Sequence, residues 1–332
     1  MSLSTSTIDS YLFHGLRLDV RSVDGPVAEA LANRLAHFAA PARGEVELRV
    51  DIVSAEPGDI ERPTGRGRPV YDPPDGEVLS FDDGDLLFIR CGDLAQVVCE
   101  PRRGAIRMAV RPDPTARWLA GHALFTLTLI ECLKRRGRFS LHAAGLAIGG
   151  RGILVAGASG SGKSTTAVCL LRAGFGFLAD DTVFLSAGPA TVDESGSGED
   201  LTVLAFPDEI DVTDQTIGLF PELSAVVATP ANPVNGKRQF RPEAIYDAEP
   251  VGSCRPVALV LAGARTPGRS RLWAVGPDEA LLAVVPNVLL TEPGSTQAHL
   301  DVLAQLTRTC ACYRLEAGPR LEELPELFAG LM

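Results

Sequence analysis

Apolar and polar positions alternate in two different textures along this chain, and the change falls near residue 113. Upstream, residues 12–20 and 45–53 alternate with a period of two and predict strands. Between them, 26–38 carries a helical spacing. Residues 54–74 are rich in Pro, Gly, Arg and Asp and predict an exposed loop. Two hairpins follow, 78–81 with 86–90 and 97–100 with 105–110. The first turns on Asp82-Asp83-Gly84-Asp85, an acidic cluster that turn chemistry explains without a metal. After Pro112 and Pro114 a long helix over 116–135 leads into short apolar strands alternating with helices. Within that part, 257–262 and 313–316 predict strands, 187–200 a polar loop or hairpin tip, and 320–331 a closing helix. The pattern predicts an α+β N-terminal domain over 1–113 and an α/β domain over 114–332.

The apolar run 118–133 ends in Lys134-Arg135-Arg136 and contains His122 and Glu131. It is shorter than a membrane span requires, and the basic end suits a helix C-terminus, so a buried helix is expected and no membrane. At 45% hydrophobic residues the chain can build a sizeable core, and its 33 glycines and 24 prolines imply long turns. Thirty-one basic against 42 acidic residues give a formal charge of −11. That balance argues against nucleic acid as a partner. Seven scattered cysteines do not form a disulfide framework, and Cys310 and Cys312 lack a second pair or histidines to complete a zinc set. The opening residues carry no basic and apolar leader. A soluble, cytoplasmic setting is expected.

The informative segment is Gly157-Ala158-Ser159-Gly160-Ser161-Gly162-Lys163-Ser164-Thr165, a complete G-x-x-x-x-G-K-[ST] pattern. It lies between an apolar strand over 152–156 and a helical run over 165–173. Strand, glycine loop and helix together cradle phosphate, because inward-turned N–H groups and the helix N-terminus both favour an anion. Lys163 would reach the β- and γ-phosphates of ATP, and the Ser164 hydroxyl would hold Mg²⁺. A second apolar strand ends in Asp180-Asp181, 17 positions beyond Lys163. Paired carboxylates beside a phosphate loop suit Mg²⁺ ligation and general-base work. Both can reach one site only if the strand ends there, since neighbours on a strand point opposite ways. No N-K-x-D base-reading motif and no LSGGQ-like helix start is present. His142, in a strand-like run of small apolar residues, is either a core histidine or a partner of this site.

His142, the loop 157–165 and the pair Asp180-Asp181 occur in an order and spacing that resembles the C-terminal catalytic domain of HPr kinase/phosphorylase. The same features are similar to the broader phosphoenolpyruvate-carboxykinase superfamily. The resemblance implies a P-loop kinase domain and ATP-dependent phosphorylation of a hydroxyl, usually a serine of a protein or peptide. It also implies that Asp180 deprotonates the acceptor, that His142 assists the carboxylate, and that Asp181 and Ser164 bind Mg²⁺. The E-[IV]-R-G-x-G signature of HPr kinases is absent. Glu209 is the nearest acidic candidate for a further metal ligand, and Lys237 or Arg238 for the phosphate-contacting cation that the family places after its acidic segment. Without the signature, the chain looks more like HPr-kinase-related proteins, some of which resemble kinases of lasso-type precursor peptides. The N-terminal domain would then recognise the substrate. HPr kinases form hexamers, so the resemblance leaves a homo-oligomer open. A small-molecule kinase and a non-catalytic ATP-responsive protein are the alternatives, because a phosphate loop and a carboxylate pair do not specify the acceptor.

Overall fold

The computed structural model describes residues 7–41, 43–56, 58–71, 76–187, 201–248, 250–263 and 265–332. The chain is a mixed α/β protein with two eight-stranded sheets. It divides into one unit of Met1–Arg136 with Leu290–Thr296 and another of Gly137–Leu289 with Gln297–Met332. The helical stretch that follows residue 113 therefore groups with the first unit, where the sequence pattern had joined it to the second.

In the first unit, β1 (Thr7–Phe13) and β2 (Leu16–Ser22) form an antiparallel hairpin. Its two-residue turn, His14-Gly15, has φ of 48° and 83°. Positive φ at both central residues matches the twist of the flanking strands. The alternation over 12–20 thus covers parts of two strands. Helix α1 (Gly25–Arg34), capped by Asp24 through the Val27 N–H, crosses to β3 (Leu48–Ser54), which lies parallel to β2. Strand β4 (Arg68–Tyr71) falls in the stretch expected to be loop. The meander β5 (Gly76–Phe81), β6 (Leu86–Cys91), β7 (Ala95–Glu100) and β8 (Ala105–Val110) follows the predicted hairpins. Sheet order is β1-β2-β3-β8-β7-β6-β5-β4. The acidic cluster forms a single 3₁₀ turn over Asp82–Gly84, and Asp85 pairs with Arg102.

Next come α2 (Pro114–Leu119), one π-helical turn at Ala120–Leu124, and α3 (Phe125–Lys134). Phe125, Leu129, Cys132 and Leu133 of α3 are fully buried. So are two of its charges, which are paired: Lys134 Nζ lies 2.8 Å from Glu131, and Arg135 lies 3.3 Å from it. The Thr291 hydroxyl donates to Glu131 and accepts from Lys134 at 2.6 Å, and Arg135 also meets Glu292 at 3.1 Å. These bonds tie Leu290–Thr296 to α3. Among the described residues no helix is long and apolar enough to cross a membrane.

The second unit begins with the hairpin of β9 (Phe139–Ile148) and β10 (Arg151–Ala156). Helix α4 (Lys163–Arg172), β11 (Gly176–Ala179), β12 (Thr182–Ala187), β13 (Leu201–Leu204), β14 (Ile210–Val212), α5 (Asp214–Ile217) and β15 (Arg238–Phe240) follow. The chain continues through β16 (Ser253–Ala262), β17 (Arg271–Ala274), α6 (Pro277–Val284), α7 (Pro293–Thr309), β18 (Ala311–Glu316) and α8 (Leu324–Ala329). The loop or hairpin tip expected over 187–200 lies outside the described residues beyond Ala187.

The eight-stranded sheet of this unit runs β10-β9-β12-β13-β16-β18-β17, with β11 also paired to β9, and β16 pairs with β10 in parallel, which closes a ring of five strands. Strand period two explains its two cores. Ile153 and Val155 of β10 and Ala258 and Val260 of β16 face a layer built with α4 and α8. Leu154, Ala156, Leu259 and Leu261 face the opposite layer with Val284, Leu303 and Leu306. Apolar cover on both faces accounts for the unbroken apolar runs of these strands. Ile210 and Val212 turn the small β14–β15 ribbon into the first of these cores, which leaves Asp211 on its other side.

Candidate functional site

The carboxyl end of β10 opens into the loop 157–162, and α4 begins at Lys163. Gly157, Gly160 and Gly162 adopt φ of 156°, 79° and 96°. A Cβ on Gly157 would sit 2.9 Å from the Ala262 carbonyl oxygen, so glycine is needed where the loop leaves the sheet beside β16. Residues 158–165 line a cleft of 650 Å³ together with His142, Asp180, Asp181, Asp211, Thr213, Gln215, Thr216, Lys237 and Arg265. That volume suits a nucleotide-sized ligand.

Lys163 is buried and its ammonium donates to the carbonyls of Gly157 (2.8 Å) and Ala158 (3.2 Å). Burial lowers its pKa, and the charges of Asp181 and Asp180 oppose that shift. The Ser164 hydroxyl donates to Asp180 Oδ2 at 2.9 Å, and the Asp211 N–H reaches the same oxygen at 3.3 Å. Asp180 Oδ1 is buried with no hydrogen-bond partner. Burial pushes the Asp180 pKa up to about 7, with the Asp181 and Asp211 charges adding to the rise.

The strand breaks where the carboxylate pair needs it to. β11 and β12 both pair with β9 along one edge, and the ladder is interrupted at Asp180-Asp181. Thr182 stands opposite His142, which brings the imidazole beside the preceding residue. His142 Nδ1 lies 3.0 Å from Asp181 Oδ1. The Asp181 side chain is 71% exposed against 37% for His142. Partial desolvation in the cleft raises the Asp181 pKa, but the hydrogen bond and charge of His142 outweigh it and hold the carboxyl below its ordinary value.

Not every expected residue reaches the cleft. Glu209 is half-buried outside the cleft lining; the carboxylate that does enter is Asp211, on the outward position of β14. Gln239 Nε2 holds Asp211 at 2.9 Å, and Lys237 Nζ lies 3.8 Å away. Of the two cations considered, Lys237 lines the cleft, whereas Arg238 pairs with Asp214 at 3.1 Å and donates to the Thr229 carbonyl. Gly157 also lies outside the lining and contributes its carbonyl to Lys163. Thr165, Thr216 and Thr213 form a chain of hydroxyls at 3.3 and 3.2 Å, linking the loop helix to the N-cap of α5. Asp211, Thr213, Gln215, Thr216 and Arg265 were not singled out in the sequence. The period-two pattern at 210–212 was the signal for Asp211, and a cation just past an apolar parallel strand was the signal for Arg265.

Mg²⁺ fits the donor set at Ser164 and Asp180. A buried carboxylate with one unpartnered oxygen is satisfied by a proton or by a cation. Among the described residues no group of three or more His, Cys, Asp and Glu could hold a metal by itself. Mg²⁺ does not need one, because in phosphoryl-transfer sites it takes one or two protein groups and completes its shell with phosphate oxygens and water.

No family model matches the chain, and no curated protein matches it. Among solved structures it is similar to the HPr(Ser) kinase/phosphatase from Coxiella burnetii. The identity is 14%, over 58% of this chain and 92% of that one, with a TM-score of 0.27.

Proposed function

We propose that this chain is an ATP- and Mg²⁺-dependent P-loop kinase that transfers the γ-phosphoryl group to a hydroxyl, a serine of a protein or peptide such as a biosynthetic precursor peptide. The observation that carries the reading is one cleft holding a complete phosphate loop and two adjacent carboxylates in opposite environments. Carboxylates whose pKa values are pushed apart divide the work between them. Asp180, buried against Ser164, is the metal-side carboxylate. Asp181 is exposed to an incoming acceptor, ionised near neutral pH and oriented by His142, and is the base. This exchanges the parts that the family resemblance implies for the pair.

In the reaction, the acceptor oxygen forms a bond to the γ-phosphorus as the bond to the β-phosphate oxygen breaks, and ADP leaves. Asp181 takes the acceptor proton. Lys163 leaves its loop carbonyls for the phosphate oxygens, and Lys237 adds charge from the β14–β15 ribbon. Ser164 and Asp180 would hold Mg²⁺, which would supply positive charge against the transferred phosphoryl group.

The test is phosphoryl transfer from γ-labelled ATP with Mg²⁺ into an extract of the source organism, fractionated into proteins, peptides and small molecules. Asp180→Asn and Asp181→Asn are run alongside. Both are expected to lose transfer. Asp181→Asn keeps Mg-ATP binding, and Asp180→Asn loses its Mg²⁺-dependent part. The reverse binding pattern returns the base to Asp180. Label that both variants retain rejects the kinase reading, and label confined to small molecules replaces the peptide acceptor.

A further inference from the structure

We infer that Arg265 binds the phosphate chain of the nucleotide, an inference that rests on the kinase reading above. β10 and β16 are parallel neighbours, with Ala156 level with Leu261. Their carboxyl ends therefore open on the same edge of the sheet, where ligands of open parallel sheets collect. One connection is the phosphate loop; the other carries Arg265. The two touch, since the Ala262 carbonyl stands against Gly157. The root of the second connection is fixed by backbone alone. The Gly263 N–H donates to Leu315 at 2.9 Å and the Thr266 N–H to Ala317 at 3.0 Å, one on each side of Arg265.

The side chain between those anchors is uncommitted. Arg172, Arg238, Arg269 and Arg314, in the same unit, each pair with a carboxylate. Arg265 is exposed, lines the cleft, and makes no ion pair or side-chain hydrogen bond to any described residue. The cleft's other cations are engaged: Lys163 with its own loop and Lys237 with Asp211. A planar guanidinium with free donors, beside a loop shaped for phosphate, matches phosphate oxygens in geometry and sign.

Isothermal titration with Mg-ATP, and separately with Mg-tripolyphosphate, tests the inference on the full chain. Wild type, Arg265→Ala, Arg265→Lys and Lys163→Ala are compared. Arg265→Ala is expected to weaken both ligands by about tenfold or more, the size of a lost charge-assisted hydrogen bond. Arg265→Lys recovers part of the loss, and the melting temperature stays at the wild-type value because the side chain supports nothing in the fold. Wild-type affinity in Arg265→Ala, with binding lost in Lys163→Ala, overturns the inference and leaves the kinase reading standing. Loss toward ATP but not tripolyphosphate also overturns it, by moving Arg265 to the nucleoside. A wild-type chain that binds neither ligand removes both readings.

Discussion

Asp180 and Asp181 are neighbours in sequence with opposite surroundings. Asp180 is buried, hydrogen-bonded to Ser164 and pushed up to about 7; Asp181 faces solvent and is held low by His142. The raised value has a consequence for stability. Below about pH 4 both folded and unfolded chains carry the Asp180 proton. Between there and about pH 7 only the folded chain keeps it, so this contribution to stability is full at acid pH and is lost as the pH rises through about 7. In metal-free buffer the wild-type unfolding free energy is expected to fall relative to Asp180→Asn over that window, by at most about 1.4 kcal/mol per pH unit. Parallel denaturation curves for the two proteins across the window would show that the carboxyl is not shifted.

At the scale of elements, α3 carries the most exposed test of packing. Glu131 is buried among Lys134, Arg135 and Thr291, and removing it takes away a carboxylate that two buried cations share, leaving Arg135 with Glu292 and Lys134 with the Thr291 hydroxyl. Glu131→Ala is expected to cost about 3–5 kcal/mol, read from urea unfolding of the first unit. The elements legible in the sequence were those whose signal is local. The glycine loop with its flanking strand and helix is contiguous, and the meander hairpins are bounded by turn residues. β4 was hidden because it is an edge strand, where Pro69 is tolerated and the Pro/Gly-rich composition reads as loop. The β1–β2 turn was hidden because apolar alternation runs through His14-Gly15. In the candidate site, His142, Lys163, Ser164 and the Asp pair were legible through one short stretch of chain. Asp211 and Arg265 enter from β14 and from beyond β16, and only long-range pairing brings them there. Glu209 was named as the nearest acidic candidate and Asp211 was not considered, because a period-two pattern of only three residues is a weak signal until β15 pairs with it.

For the molecule as a whole, neither unit is a continuous piece of chain. Leu290–Thr296 belongs with Met1–Arg136, although the residues between belong to the other unit. A fragment ending at Arg136 lacks Thr291 and Glu292 and leaves the charges of α3 short of partners. It is expected to lose amide-exchange protection along α3, and to regain it when 290–296 is attached through a short Gly/Ser linker. Equal protection in both fragments would make the segment a passive connection.

The Thr291–Glu131 bond also sets an order of events at the ribosome. Domains fold as units while the chain emerges, the N-terminal one first. Here the first unit cannot close when its 136th residue appears. Glu131 and Lys134 meet each other within α3, but the Thr291 hydroxyl that both bond lies 160 and 157 residues downstream, beyond the stretch Gly137–Leu289 of the other unit. Completion of the N-terminal unit is therefore a late step, and the nascent chain carries an unfinished charge cluster while the cleft of the other unit is being made.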